Sequence, residues 1–254
     1  MLVVERLQRI VSYVFERGSI RVTELSNLLQ VTEETIRRDL DKLESEGKLI
    51  RSHGGAIRVL EAFPDIPFLV RESTNAQQKK IIAQEAIKHI SIHDRIILDA
   101  STTAWYISRI LPDMPLTVLT NSIKVAMELS TKPKIQVIST GGLLTASTLS
   151  FVGFVAEQSM EHFHVDKLFF SCKGLHIDKG ISESSESQSM IKQKMISIAE
   201  QVYLLADYSK FVQQSFIHVC GWTSINTVIT DSLTNQDTIQ RMKERAIQVI
   251  QVVE

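Results

Sequence analysis

Nowhere in these 254 residues does an apolar run approach the roughly 20 needed to cross a bilayer. The opening stretch, MLVVERLQRI, interleaves Glu5, Arg6 and Arg9 with its aliphatics, unlike the continuous hydrophobic core of a secretion signal. A cytoplasmic protein with no membrane partner is therefore expected. Cysteine is nearly missing. Cys172 and Cys220 lack the C-x-x-C spacing of a zinc or redox site and read as reduced, half-buried thiols. An excess of one charge is missing too: 28 Lys/Arg stand against 29 Asp/Glu, so a surface for a polyanion has to be local. The 7 histidines are scattered; His162 and His164 would share one face of a strand, yet no third ligand lies within sequence reach. No metal and no other cofactor is expected. What is present, 44% hydrophobic residues, allows one large core and a second, smaller domain.

The first sixty residues are helical in period. Val3, Leu7, Ile10, Val11 and Val14 mark an amphipathic helix that Gly18 ends, Leu25, Leu28 and Leu29 mark a second, and Ile36, Leu40 and Leu43 a third. Thr32 is placed to cap the third, where Glu33 and Glu34 complement the positive helix end. This is a helix-turn-helix pattern. At 100° per residue Thr35, Arg38 and Lys42 share the face away from the core, the stripe expected in a major groove. Arg37 has Glu33 and Asp41 four residues to either side, so an intrahelical ion pair competes with DNA for it. Next, GKLIRSHGGAIRV reads as a β-hairpin turning on His53-Gly54-Gly55, with the glycines at positive φ, the wing of a winged helix. Residues 1–58 hold ten Lys/Arg and nine Asp/Glu, but Lys48, Arg51, His53 and Arg58 on the wing have no acid among them. Expected DNA contacts are thus Thr32, Thr35, Arg37, Arg38, Lys42, Arg51, His53 and Arg58. A winged helix used only for protein contact is the alternative.

Residues 59–72, with Pro64 and Pro67, read as a linker to a second domain at 73–254. There RIILDA, LTVLTN, KIQVIST, KLFFSC, QVYLLAD, INTVITD and IQVIQVV are strand-like, and helical patterns lie near 102–111, 122–130, 154–163, 188–201 and 235–246. Continuous hydrophobicity in the strands implies cover on both faces, hence an α/β fold with a mostly parallel sheet. Ligands of such sheets bind outside the carboxyl ends of the strands. Those ends carry Asp99, Ser101, Thr102 and Thr103; Thr120, Asn121 and Ser122; Thr140, Gly141 and Gly142; Lys173 and Gly174; and Asp207 with Lys210. Each group has a plain structural reading as a helix cap or turn. Together they suit a sugar phosphate, which needs helix-terminal amides, hydroxyls and lysines.

VTELSNLLQVTEETIRRDLDKLESEGKLIRSHGGA resembles the N-terminal domain of the DeoR family of bacterial transcriptional regulators, with its T-I-R-R-D-L core and H-G-G-A wing. DASTT, TNS, TGG and LADYSKF, with Arg71, Asn75 and Lys79 before them, resemble that family's effector domain, so the likeness spans the chain. It implies a sensor related in fold to ribose-5-phosphate isomerase and CoA transferases, a phosphorylated-sugar effector, a hydroxyl loop after the first strand holding the phosphate, and Lys210 in the same pocket. Double-stranded operator DNA, a homodimer or homotetramer, and repression of a carbohydrate operon are also implied. SCKGLHIDKGISES and Gln78 depart from the common pattern. Trp105 and Tyr106 after the hydroxyl loop most resemble regulators of deoxyhexose use, fucose or rhamnose, where an indole would pack on a methyl group; the other reading of Trp105 is helix core. The isomerases place an aspartate-rich D-G-A-D turn where this chain has Ser171-Cys172-Lys173-Gly174. Asp99, Glu183 and Asp207 keep a sugar-phosphate isomerase or deaminase open as the alternative, but a ligand-controlled switch is the expectation, not an enzyme.

Overall fold

The computed structural model describes residues 3–45, 49–52, 54–57 and 66–253. They form two compact units, Met1–Thr74 and Asn75–Glu254.

The first unit runs α1 (Val3–Arg17), β1 (Ser19–Arg21), α2 (Val22–Leu29), α3 (Glu33–Ser45), β2 (Ile50–Ser52), β3 (Gly55–Ile57) and α4 (Phe68–Ser73). Ile10, Val11 and Val14 of α1 meet Leu25 and Leu29 of α2 and Ile36, Leu40 and Leu43 of α3 in one core, at the spacings the sequence shows. Gly18 at φ 74° ends α1, and Gln30 at φ 54° makes the tight turn between α2 and α3. The strands pair antiparallel in the order β1-β3-β2, which completes a winged helix. Both glycines of the hairpin were expected at positive φ; only Gly54, at 83°, is there. Gly55 answers a different need, since a Cβ on it would stand 2.2 Å from the Ile20 carbonyl oxygen of the neighbouring strand.

The expected linker, 59–72, is helical at its end. Its residues 59–65 lie outside the described residues, but α4 begins at Phe68 and packs on α1, with Val70 in the same core. Pro67 stands just before that helix, where a missing N–H costs nothing.

The second unit opens with α5 (Ala76–Ile87). Its centre is a seven-stranded sheet of β4 (Arg95–Leu98), β5 (Leu116–Thr120), β6 (Ile135–Ser139), β9 (Val165–Phe170), β12 (Ala199–Ala206), β14 (Thr227–Asp231) and β15 (Gln248–Val252). These are the seven strand-like runs of the sequence. Every pairing among them is parallel, and the order is β15-β14-β12-β9-β4-β5-β6. Ile96, Ile97 and Leu98 are fully buried, as are Leu168, Phe169 and Phe170, so the sheet is covered on both faces. The crossovers are α6 (Thr102–Ile110), α7 (Ile123–Leu129), α8 (Phe154–Ser159), α9 (Glu186–Ser197) and α10 (Gln236–Glu244). Two small antiparallel pieces sit beside the sheet: β7 (Leu143–Thr145) with β8 (Ser150–Val152), and β10 (Gly174–His176) with β11 (Gly180–Glu183) and β13 (Ile217–Cys220).

Two helices differ from the sequence pattern. The one expected at 188–201 begins at Glu186, behind the Ser185 cap, and stops at Ser197, because Ala199 and Gln201 pair with Val165 and Lys167 of β9. The one expected at 154–163 ends at Ser159.

Candidate functional site

In the first unit α3 is capped as its sequence suggests: Thr32 Oγ1 accepts the Thr35 N–H at 3.3 Å and lies 2.9 Å from the Thr35 hydroxyl. Arg37, Arg38 and Lys42 are exposed along the helix. Each arginine has a carboxylate beside it, Arg37 on Glu33 at 2.6 Å and Arg38 on Glu34 at 3.4 Å. Arg51, expected on the wing as a phosphate contact, is turned onto α3, where Nη1 donates to the Arg37 carbonyl and to Asp41. His53, Arg58 and Lys48 lie outside the described residues.

Sequence reading missed what aims this helix. Asp39, inside the T-I-R-R-D-L stretch, is buried and takes both arms of Arg6 from α1, Nε at 2.6 Å and Nη2 at 3.1 Å. Nothing local points to it, because the partners are 33 residues apart.

In the second unit the strand order sets the site. The chain starts at β4, steps outward through β5 and β6, then returns to the other side of β4 with β9 and steps out through β12, β14 and β15. The sheet therefore reverses its winding between β4 and β9, and the crevice at the carboxyl end of that pair is where parallel sheets of this kind hold ligands. Leu98 pairs with Phe169, so Asp99 and Ser171 emerge side by side. Asp99, Ser101, Thr102, Thr103, Asn121, Ser122 and Asp207 are each at most 5% exposed.

The rim is stitched together. Asp99 Oδ1 accepts the Ser101 N–H at 3.1 Å and Oδ2 the Ser171 N–H at 3.2 Å, which fixes the loop ahead of α6. Ser101 caps α6 by accepting from Ala104 N, leaving Thr102 and Thr103 in the first turn. Thr120 donates to the Leu98 carbonyl at 2.6 Å, and Ser122 caps α7. Asn121 donates to the Phe151 carbonyl at 3.0 Å, while its Oδ1 is buried and meets no donor among the described residues. Gly141 and Gly142 turn at φ 63° and 107°; a Cβ on Gly142 would stand 2.9 Å from Ala156 Cβ of α8. Lys173 donates its N–H to the Ser182 carbonyl at 3.2 Å, and Gly174 leaves room for the Gln213 carbonyl. Asp207 accepts from Ser209 N and from Asn75 Nδ2, both at 3.1 Å, which ties the start of α5 to the S-K-F turn bearing half-buried Lys210.

Beneath the crevice lies a group that the sequence reading did not bring together. Lys192 of α9 donates to the Ser171 carbonyl at 2.6 Å and to Glu183, and stands 3.6 Å from Asp99 Oδ2. All three ionisable side chains are buried. Burial pushes the Asp99 carboxyl above the ordinary aspartate range, against the pull of Lys192 and of its N–H donors. Burial also works against the Lys192 charge, but Glu183 and Asp99 together outweigh it and hold the ammonium above its usual range. Gln188, one turn earlier on α9, donates to Ser150 at 2.9 Å and to Thr148 at 3.2 Å, and Ser150 bridges to Ser122. One helix thus touches two sides of the rim.

Trp105 is buried in the first turn of α6. Its ring has Arg109 at 5.0 Å and Lys124 at 5.4 Å and borders a shallow groove of about 210 Å³ with Met127, Glu128 and Thr131. Lys124 is in the first turn of α7, next to the Ser122 cap, Met127 and Glu128 follow along the helix, and Thr131 lies just past its end. The thiols are inert in character: burial pushes Cys172 up and Cys220 up to about 12. No helix among the described residues is long and apolar enough to cross a membrane.

Residues 6–61 match the DeoR-like helix-turn-helix domain and residues 74–232 the DeoR C terminal sensor domain. The chain belongs to the DeoR family. This DeoR-family chain is 50% identical over 252 residues to the uncharacterized HTH-type transcriptional regulator YulB of Bacillus subtilis, covering 99% of this chain and 98% of that one. It is 36% identical to an L-fucose operon activator of Haemophilus influenzae, over 94% of this chain and 96% of that one. Among solved structures it is similar to ribose 5-phosphate isomerase A of Methanocaldococcus jannaschii, with a TM-score of 0.41 and 16% identity over 54% of this chain and 55% of that one. It is a DNA-binding transcriptional regulator and not an enzyme.

Proposed function

We propose that the chain is a cytoplasmic, sequence-specific regulator of a carbohydrate catabolism operon, and that a phosphorylated sugar bound at the β4/β9 crevice controls its hold on DNA. The winding reversal between β4 and β9 carries the reading, since it gathers hydroxyls, helix-terminal N–H groups and Lys210 at one rim. The phosphate goes to the Ser101-Thr102-Thr103 turn at the start of α6, and the buried Asn121 Oδ1 accepts a sugar hydroxyl. Lys173, Gly174, Gly141, Gly142, Asp99 and Asp207 shape the rest. The name of the H. influenzae relative favours a deoxyhexose pathway.

In the first unit Thr35, Arg38 and Lys42 enter the major groove, with Thr32 and Arg37 toward the backbone and the wing residues Arg51, His53 and Arg58 on phosphates. A homodimer or homotetramer presents two such helices to paired half-sites, and effector binding favours one spacing over another. The family resemblance implies repression relieved by the ligand; the name of the L-fucose operon activator favours the opposite sign.

Calorimetry over a panel of phosphorylated sugars, including deoxyhexulose phosphates, tests the crevice. Lys210→Ala should weaken the binding sugar by about tenfold or more, the size of one lost charge-assisted hydrogen bond. Unchanged affinity would remove Lys210 from the site. No binding by any sugar phosphate would remove the effector.

A further inference from the structure

Every described arginine of the proposed DNA face is engaged by an acid of α3. Arg37 is on Glu33, Arg38 on Glu34 and Arg51 on Asp41, and the Arg51 N–H donates to Glu44 at 2.8 Å. The wing has no acid of its own from 48 to 58, so its Arg51 borrows one from α3. Arg51 is also incompletely satisfied: Nη1 has two acceptors, while Nε is buried without one among the described residues. A buried donor left unpaired is costly, so this resting position is one that an outside acceptor can improve upon.

We propose that Glu33, Glu34 and Asp41 act as internal stand-ins for DNA phosphates, holding the three guanidinium groups in the free protein and yielding them when a duplex arrives. A carboxylate and a phosphate offer a guanidinium the same paired oxygens, so one replaces the other without moving the helix. The exchange takes from every DNA encounter the free energy of the ion pairs it breaks, whatever the sequence. Base-edge contacts are untouched by it. The acids therefore lower affinity for arbitrary duplex, where phosphate contacts supply nearly all the binding, and raise the share carried by sequence. This inference rests on the DNA face assigned above.

The test uses the full-length protein and a labelled 30-bp duplex of random sequence, read by fluorescence anisotropy at about 0.1 M salt. Glu34→Gln and Asp41→Asn should each tighten binding by about 1.5- to 5-fold, the range that single exposed ion pairs support. Glu5→Gln makes the same charge change at the Glu5–Arg9 pair on α1 and should move binding less. If Glu34→Gln and Asp41→Asn bind no more tightly than Glu5→Gln, the stand-in role is wrong. Arg38→Ala separates this from the face itself: binding equal to wild type there would show that α3 does not face the duplex, whatever the acids do.

Discussion

Replacing Asp39 with Asn tests whether the recognition helix is aimed by a single ion pair. Asp39 and Arg6 have side chains 9% and 12% exposed and share two hydrogen bonds, at 2.6 and 3.1 Å, between helices otherwise joined by apolar contacts. An exposed pair contributes about 0–1 kcal/mol, and breaking a fully buried one costs about 3–5 kcal/mol. Asn keeps one acceptor and no charge, and the site lies near the surface, so a loss of about 2–3 kcal/mol is expected. For a unit of this size that lowers the melting point by roughly 10–20 °C. Both tryptophans, Trp105 and Trp222, belong to the second unit, so their fluorescence transition should stay where it is while the helical signal at 222 nm gains an early phase. Random-duplex binding should fail over the same interval. Arg6→Ala combined with Asp39→Asn should cost little more than either change alone. A shift under about 0.5 kcal/mol, within the range of ordinary surface substitutions, would refute the aiming role.

The remaining expectations concern the crevice. Lys192→Met leaves Asp99 and Glu183 buried without their cation, at a cost of about 3–5 kcal/mol at neutral pH. Asp99 already titrates above its ordinary range. In the variant Asp99 loses the cation that pulls it down and rises further, so stability should be regained as pH falls through that raised value and lost again as it climbs; urea midpoints at pH 5 and pH 7.5 would show it, and a loss equal at both would contradict the burial of the Asp99 charge beside Lys192. Gly142→Ala brings a Cβ to 2.9 Å from Ala156 at a φ of 107°, so a loss of roughly 1–3 kcal/mol is expected in thermal melts; an unchanged melting point would mean the turn can relax.

Much of this molecule was legible because its signals are local. Each of the seven sheet strands carries a short apolar stretch, such as Ile96 to Leu98 or Leu168 to Phe170, and Thr32, Ser101 and Ser122 stand where their helices need caps. Strand ends could be named from sequence, so the hydroxyl loops were found. Their neighbours could not: the reversal between β4 and β9 is a property of strand order, and Lys192 reads as one more lysine on a polar helix until α9 is laid beside Ser171 and Glu183. The partner of Arg51 was hidden for the same reason, since the wing lacks acids in sequence yet meets Asp41 in space. The small strands β7, β8, β10, β11 and β13 are three or four residues long and carry no period to read. Trp105 follows a hydroxyl loop in sequence but turns to α7.

The proposed switch requires linkage between the two units, and one titration reaches it directly. Duplex DNA from the region flanking the gene is held at half-saturation by the full-length protein, and phosphorylated sugars are added one at a time. A sugar phosphate that binds by calorimetry should shift DNA affinity by about 5- to 150-fold, the span of a coupling free energy of 1–3 kcal/mol, and Lys210→Ala should abolish the shift without changing DNA binding in its absence. A sugar phosphate that saturates the protein while DNA occupancy stays constant would contradict it.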